Sequence, residues 1–301
     1  MPPSAMGGIV TIGNFDGVHR GHQAMLSTIR GHAKAALLPV VVVTFDPHPI
    51  NVLKPDVNLP KLTTLKTRTE LLKHFGADEV VVLEVDHELL SMEPQRFFDQ
   101  VVRNQLQAAG MIEGPDFHFG KDRKGDITVL RKLCADGGLN LTIIPALSHS
   151  GEMISSTRIR SLLEHGQVAE AVDLLGHSYT ISGSVVPGAG RGQTLGIPTA
   201  NLEGVAELLP KDGVYAANCA LQGSYFPVAV SIGPNPTFDD GNRKVECHII
   251  DFSGDLYDSE LAVNLLSEIR DLHSFASREA LVEQIKRDIA CCRTIFASRS
   301  R

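Results

Sequence analysis

The feature that most narrows the folds open to this chain is a change of hydrophobic period near Gly176–Ser182. Before it, short apolar runs alternate with helical patterns; after it, β-type segments follow one another. The runs Ile9–Gly13, Val40–Phe45, Glu79–Glu84, Ala109–Glu113 and Leu141–Pro145 read as buried strands, with helical patterns at 21–36, 67–75, 94–108 and 127–136 between them. Parallel strands need long crossovers, normally helical, so this alternation predicts a Rossmann-like, doubly wound α/β domain covered on both faces. Two short helices follow, with Ile159, Leu162 and Leu163, then Val168, Ala171, Val172 and Leu175, at helical spacing and with Gly166 and Gly176 at their C-caps. Segments 180–186, 214–220, 226–232 and 244–252 alternate apolar and polar residues between turn residues, which predicts an antiparallel β-barrel or sheet. An amphipathic helix at 277–296, with Leu281, Ile285 and Ile289 on one stripe, closes the chain. The expected class is α/β plus β, divided into domains 1–178 and 179–301.

Composition bounds the partners. With 28 Lys+Arg against 35 Asp+Glu the net charge is −7, and no basic block occurs, so neither nucleic acid nor an anionic membrane is expected as a partner. The longest apolar run, Leu37–Val43, is far short of the roughly 20 residues that span a bilayer. No basic region followed by an apolar stretch opens the sequence, so a cytoplasmic address is expected. The five cysteines, Cys134, Cys219, Cys247, Cys291 and Cys292, contain no C-x-x-C spacing and read as reduced and structural. Assembly into a homo-oligomer is left open.

Three places carry chemistry. The first strand runs directly into Asn14-Phe15-Asp16-Gly17-Val18-His19-Arg20-Gly21-His22, placing a glycine-punctuated turn and a helix start where open α/β sheets bind ligands. His19 and His22, three apart, share a helix face, and the helix N-terminus adds N–H donors for phosphate oxygens, which suits an α-phosphate under attack. In the second half, Thr199 and Asn201 are hard oxygen ligands of the kind Mg²⁺ takes. Glu246 lies on an alternating strand with His248 on its face and Cys247 opposite, so its carboxylate can accept the proton of an attacking hydroxyl. Gly188, Gly190 and Gly192 permit close backbone approach to phosphates, although such a turn is equally a plain hairpin loop. Arg158 and Arg160 follow Ser155 and Ser156 at a helix opening, either gripping a polyphosphate or standing as an N-cap with solvated arginines.

The segment GNFDGVHRGH at 13–22 resembles the HxGH signature of the nucleotidyltransferase superfamily. Thr44-Phe45-Asp46-Pro47-His48-Pro49, GPDFHFG at 114–120 with RKGD at 123–126, and ISSTRIR at 154–160 resemble, in order, the motifs of the prokaryotic FAD synthetase module. GRGQTLGIPTAN at 190–201, GPNPTF at 233–238 and VECHIIDF at 245–252 resemble the riboflavin kinase module. From about Gly8 to Phe296 the chain is therefore similar to the bifunctional riboflavin kinase/FMN adenylyltransferases. The resemblance implies a transferase that phosphorylates riboflavin to FMN and adenylylates FMN to FAD, with ATP and Mg²⁺. It implies His19, His22 and Glu246 as catalytic residues, and Gly13, Asn14, Phe15, Asp16, Ser156, Thr157 and Arg158 beside the histidines for the adenylyl ATP. Pro47, His48, Pro49, Asp116 and Phe117 are implied for the flavin. Gly188, Gly190, Arg191, Gly192, Thr199 and Asn201 are implied for the kinase ATP, with Thr199 and Asn201 carrying the metal. Gln193 and His118 stand where arginine is common, and Ile269–Phe275 lacks the Glu and Lys of the family's IRxExKF segment. These departures make a monofunctional FMN adenylyltransferase with an impaired kinase domain the alternative.

Overall fold

The computed structural model describes residues 1–57, 59–188, 192, 196–235 and 240–299. They form two compact units, one of residues 1–59 and 63–155 and the other of 60–62 and 156–301.

The first unit runs β1 (Ile9–Ile12), α1 (Arg20–Ala36), β2 (Val40–Asp46), α2 (Pro49–Leu53), α3 (Leu65–His74), β3 (Glu79–Glu84), α4 (His87–Ser91), α5 (Pro94–Phe97), β4 (Gly110–Glu113), α6 (Ile127–Gly137) and β5 (Asn140–Ile143), then a small hairpin of β6 (Ser148–His149) and β7 (Glu152–Met153). The five main strands are parallel in the order β3-β2-β1-β4-β5. The valine run of β2 illustrates why such a sheet reads as continuously apolar. Val41 and Val43 enter a core with Phe98, Val101, Leu106 and Leu130, while Val40 and Val42 enter the opposite core with Leu26, Ile29 and Leu72. The doubly wound sheet expected from the periodicity is present. The expected helix 94–108 is different in kind: α5 is one turn, and Phe98–Gln105 continues as a wider π-helix.

β1 is central, and the chain leaves it in opposite directions, to β2 and to β4, which makes a topological switch point at their carboxyl ends. Pairing of β1 with β4 stops at Val10↔Met111, so the two strands part there and open a crevice.

The second unit begins with α7 (Ser156–Glu164) and α8 (Val168–Leu175), followed by β8 (Tyr179–Val186), β9 (Ala200–Glu203), β10 (Gly213–Leu221), β11 (Ser224–Asn235), β12 (Asp240–Ile249), β13 (Glu260–Arg270) and α9 (Arg278–Arg299). The six strands close an antiparallel barrel in the order β10-β11-β12-β9-β8-β13. Closure removes exposed strand edges. β9 and β13 escape the sequence reading: one has four residues, and the other, ELAVNLLSEIR, is rich in residues of weak strand preference. α9 covers the barrel through Ile289, Cys292 and Ile295 against Ala216, Ala229 and Ile250. Its buried Asp288 takes a forked pair from Arg270 of β13, with Nε 3.0 Å and Nη2 2.8 Å from Oδ2.

Two candidate active sites

Residues Asn14–Val18 leave β1 along an unusual path. Phe15 (φ 48°), Gly17 (φ 81°) and Val18 (φ 38°) are all left-handed, which is costly for a β-branched residue and is stored where the surroundings over-determine it. Asp16 supplies much of that hold. Its buried Oδ1 accepts from Thr63 N and Oγ1, each at 3.0 Å, and Thr63 Oγ1 accepts from Gly17 N at 3.2 Å. The Asn14 carbonyl accepts from Arg68 Nη1 at 2.8 Å and Thr44 Oγ1 at 3.0 Å, and Gln23 Nε2 donates to Val18 O at 2.8 Å. Burial pulls the Arg68 pKa down, against the pull of Asp16 and Asp46 in the other direction.

This loop delivers His19 to the N-cap of α1. His19 Nδ1 accepts from His22 N at 3.4 Å, which assigns the proton of a neutral His19 ring to Nε2. The two imidazoles stack with centroids 3.6 Å apart, and Phe15 meets His22 edge-on at 5.0 Å. Burial and then the neighbouring His19 hold the His22 pKa well below 6.5. Its Nδ1 is buried and has no hydrogen-bond partner among the described residues. The pair lines a cavity of about 210 Å³ with Gly13, Phe15, Met25, Glu113 and the 144–147 loop. Asp16 is not among its lining residues and belongs to the scaffold of the loop.

A larger cavity of about 660 Å³ in the same unit is lined by Gly13, Asn14, His48, Pro49, Asp116 and Phe117, together with Phe45, Leu53, Leu89, Leu90, Phe97 and Phe119. Its walls are largely aromatic and aliphatic, with Asn14, His48, Asp116, His118, Asp122 and Arg123 as the polar side chains. Pro47 is exposed and not among the lining residues. His48 caps α2 through its Nδ1, which accepts from Ile50 N at 3.2 Å. The apolar side chains of this slot lie scattered over five elements, so no local motif marks them.

In the barrel, β12 alternates as expected: Val245, Cys247 and Ile249 are buried, while Lys244, Glu246 and His248 are partly exposed. Glu246 sits in register with Asn201 on β9. Thr199, Asn201, Glu246, Gly188, Gly192 and Lys244 line one cavity of about 360 Å³, with Phe252 and Tyr257 at its apolar side. A Cβ at Gly188 would stand 2.1 Å from Asn201 Nδ2, and one at Gly192 3.2 Å from Thr199 Oγ1. At Gly188 a methyl would displace the Asn201 amide, and at Gly192 it would also meet the Ile197 carbonyl at 2.4 Å, a backbone contact that only glycine avoids. A hydroxyl, an amide oxygen and a carboxylate converging on one cavity fit a hard divalent cation. Gly190, Arg191, Gln193 and 236–238 lie outside the described residues.

Ser156, Thr157 and Arg158 open α7 in the second unit. Arg160 is buried and donates from Nε to Pro60 O at 2.9 Å, a structural use of its guanidinium. All five cysteines are unpaired thiols, four of them buried. Among the described residues no group of three His, Cys, Asp or Glu side chains forms a metal cluster.

The chain thus joins two modules: a doubly wound domain with paired histidines at its switch point, and a closed barrel in which Glu246 shares a cavity with Thr199 and Asn201. A family model described as FAD synthetase matches residues 2–158, and one described as riboflavin kinase matches 175–296. The bifunctional riboflavin kinase/FMN adenylyltransferase of Escherichia coli (strain K12) is 35% identical over 291 residues, spanning 96% of this chain and 93% of its own. The proteins of that description from Pseudomonas fluorescens and Bacillus subtilis (strain 168) are 35% and 32% identical, spanning 98% and 93% of this chain and 95% and 90% of their own. The chain belongs to the bifunctional riboflavin kinase/FMN adenylyltransferase family. A crystal structure described as a macrolide-efflux protein from Streptococcus pneumoniae superposes with a TM-score of 0.88 at 34% identity, covering 97% of this chain and 95% of its own. Among the described residues no helix is long and apolar enough to cross a membrane.

Proposed function

We propose that the barrel transfers the γ-phosphoryl group of ATP to the ribityl 5′-hydroxyl of riboflavin, giving FMN and ADP, and that the first module joins FMN to the adenylyl group of a second ATP, giving FAD and pyrophosphate. The reading rests most heavily on one observation: one cavity of the first unit gathers Gly13, Phe15, His19 and His22, and one cavity of the barrel gathers Gly188, Gly192, Thr199, Asn201 and Glu246.

In the kinase step Glu246 takes the hydroxyl proton as the oxygen attacks the γ-phosphorus. Thr199 and Asn201 hold Mg²⁺, which when bound neutralises charge on the phosphates. Gly188 and Gly192 approach the ATP, and Gly190 and Arg191 are assigned to it on family resemblance alone.

In the adenylyl step an FMN phosphate oxygen attacks the α-phosphorus in line, and pyrophosphate leaves. His19 and His22 donate hydrogen bonds to the charge developing there. A neutral His22 performs this as a hydrogen-bond donor, and the N–H groups opening α1 add the field of a helix N-terminus. Gly13, Asn14 and Phe15 approach the nucleotide, with Asp16 maintaining their path. Ser156, Thr157 and Arg158 are assigned to the ATP polyphosphate and the 1–178 segment to this activity, both on family resemblance. The aromatic slot, with His48, Pro49, Asp116, Phe117 and the adjoining Pro47, takes the flavin.

Small molecules are the expected partners, and the cytoplasm is the expected site of action. Riboflavin, ATP and Mg²⁺ incubated with the protein should yield FMN and then FAD on chromatography, and a parallel reaction from FMN should yield FAD. FAD from FMN alone would assign the chain to the monofunctional alternative, and no conversion in either would refute both activities.

A further inference from the structure

The sequence reading treats Glu113 only as the end of a strand, yet it is 2% exposed and lines the cavity of His19 and His22. Its carboxyl stands where β1 and β4 have ceased to pair. Gly13 N–H bonds Val43 O on β2, while Ile12 N–H turns to the β4 side and finds Glu113 Oε1 at 2.8 Å in place of a ladder carbonyl. Glu113 Oε2 is 3.5 Å from Thr11 Oγ1, which in turn is 3.3 Å from Met25 Sδ. Met25 lies on α1 three residues beyond His22.

Proton accounting separates two states of this chain of groups. A hydroxyl has one proton, so with Glu113 ionised Thr11 can serve either the carboxylate or the sulfur. With Glu113 protonated, Oε2–H donates to Thr11, Thr11 donates to Met25, and Ile12 N–H donates to Oε1, so every group is satisfied. The surroundings agree. β1 and β5 contribute no titratable side chain, and the groups near Glu113 are His19 and His22 at the start of α1, Cys134 on α6, and Asp116 in the loop that follows β4. None of the described Lys or Arg residues pairs with it. Burial drives its pKa well above the usual carboxylate range, more than the hydrogen bonds from Ile12 and Thr11 lower it. Cys134, whose thiol is pushed up to about 11 by burial and then by Glu113, stays uncharged beside it.

We propose that Glu113 is a positioning residue of the adenylyl-transfer site, working as a neutral carboxylic acid that ties the carboxyl ends of β1 and β4 to α1 through Ile12, Thr11 and Met25. The proposal rests on the adenylyl-transfer reading of this cavity. Gly13 follows Ile12 directly and His22 precedes Met25 by one turn, so this buried link sets the spacing between the two walls that grip the α-phosphate. A negative charge at Glu113 would both break the link and repel the phosphates, so adenylyl transfer falls as pH rises through the titration of Glu113.

The test compares Glu113→Gln with Glu113→Asp. Glutamine keeps an acceptor for Ile12 N–H and a donor for Thr11 but cannot ionise; aspartate keeps the acid but is one methylene short, leaving the buried Ile12 N–H unpaired. Glu113→Asp is expected to lower kcat for FAD formation from FMN on the order of tenfold or more, with less effect on KM. Glu113→Gln is expected to lose less than Glu113→Asp and to flatten the alkaline limb of the kcat profile. Difference infrared spectra of the ligand-free protein at neutral pH should contain the carbonyl stretch of a buried protonated carboxyl, absent in Glu113→Gln. Far-ultraviolet circular dichroism and the unfolding midpoint of each variant report whether the first unit is folded, and riboflavin phosphorylation by the same preparations reports on the barrel. Glu113→Gln as damaging as Glu113→Asp with the alkaline limb intact, or no protonated-carboxyl band in the unsubstituted protein, would overturn the proposal. Failure of the unsubstituted protein to convert FMN would instead overturn the adenylyl reading, while the infrared band still decides the state of Glu113.

Discussion

Burial deprives a charged imidazole of its hydration, and at His22 this penalty, reinforced by His19, keeps the ring neutral. The folded pKa lies below the unfolded value of 6.5, so below that value the unfolded chain binds the proton more readily. Stability from this residue is therefore complete above the unfolded pKa and declines as pH falls through it. His22→Ala should flatten the fall in denaturant midpoint between about pH 7.5 and about pH 5.5, and an unchanged slope would place the acid-sensitive group elsewhere. The same substitution should lower the adenylyl step on the order of 100- to 1000-fold, by analogy with removal of one oxyanion donor. In the barrel, Gly188→Ala would drive a methyl into the Asn201 amide and should lower FMN formation on the order of 100-fold, measured as kcat from riboflavin. The histidine pair, Thr199, Asn201 and Glu246 were legible because each sits in a short run whose spacing survives in one dimension. Glu113 was not, since a single carboxylate ending an apolar strand carries no local signal, and only the parting of β1 from β4 gives it a role.

At the scale of elements, the chain was read best where one period runs long. β1–β5 with α1, α3 and α6 follow from the alternation of apolar runs and helical patterns, and β8, β10, β11 and β12 from period-two patterning and turns, whereas the five-residue α2 and α4 and the π-helix at 98–105 do not. β9 is only four residues, and β13 earns its place through barrel closure rather than strand preference. The attachment of α9 was also invisible: Asp288 looks like a solvated helix residue until the fold places Arg270 against it. Asp288→Ala should leave that guanidinium uncompensated and destabilise the barrel unit by about 3 kcal/mol or more, read as a lowered chemical denaturation midpoint. The loop at Asn14–Val18 depends on Thr63 in a comparable way. Thr63→Val removes the hydroxyl that donates to buried Asp16 and accepts from Gly17 N, and should cost about 1–3 kcal/mol. FAD formation should fall with it, while a stability change without loss of FAD synthesis would reduce the loop's left-handed path to a structural feature.

For the molecule as a whole, two unlike folds on one chain each enclose a cavity of different make: the N-terminus of α1 with the stacked His19 and His22 in one, Glu246 with Thr199 and Asn201 in the other. Their product and substrate match, since the phosphate ester made by the barrel is the nucleophile the other module requires. The most direct test is to follow flavins by chromatography in His22→Ala and Glu246→Gln, each supplied separately with riboflavin and with FMN in the presence of ATP and Mg²⁺. His22→Ala should turn riboflavin into FMN and stop there, while Glu246→Gln should leave riboflavin unconverted yet turn FMN into FAD. Loss of both activities from either single substitution, or full FMN formation by Glu246→Gln, would contradict the assignment of two separate chemistries to these two sites.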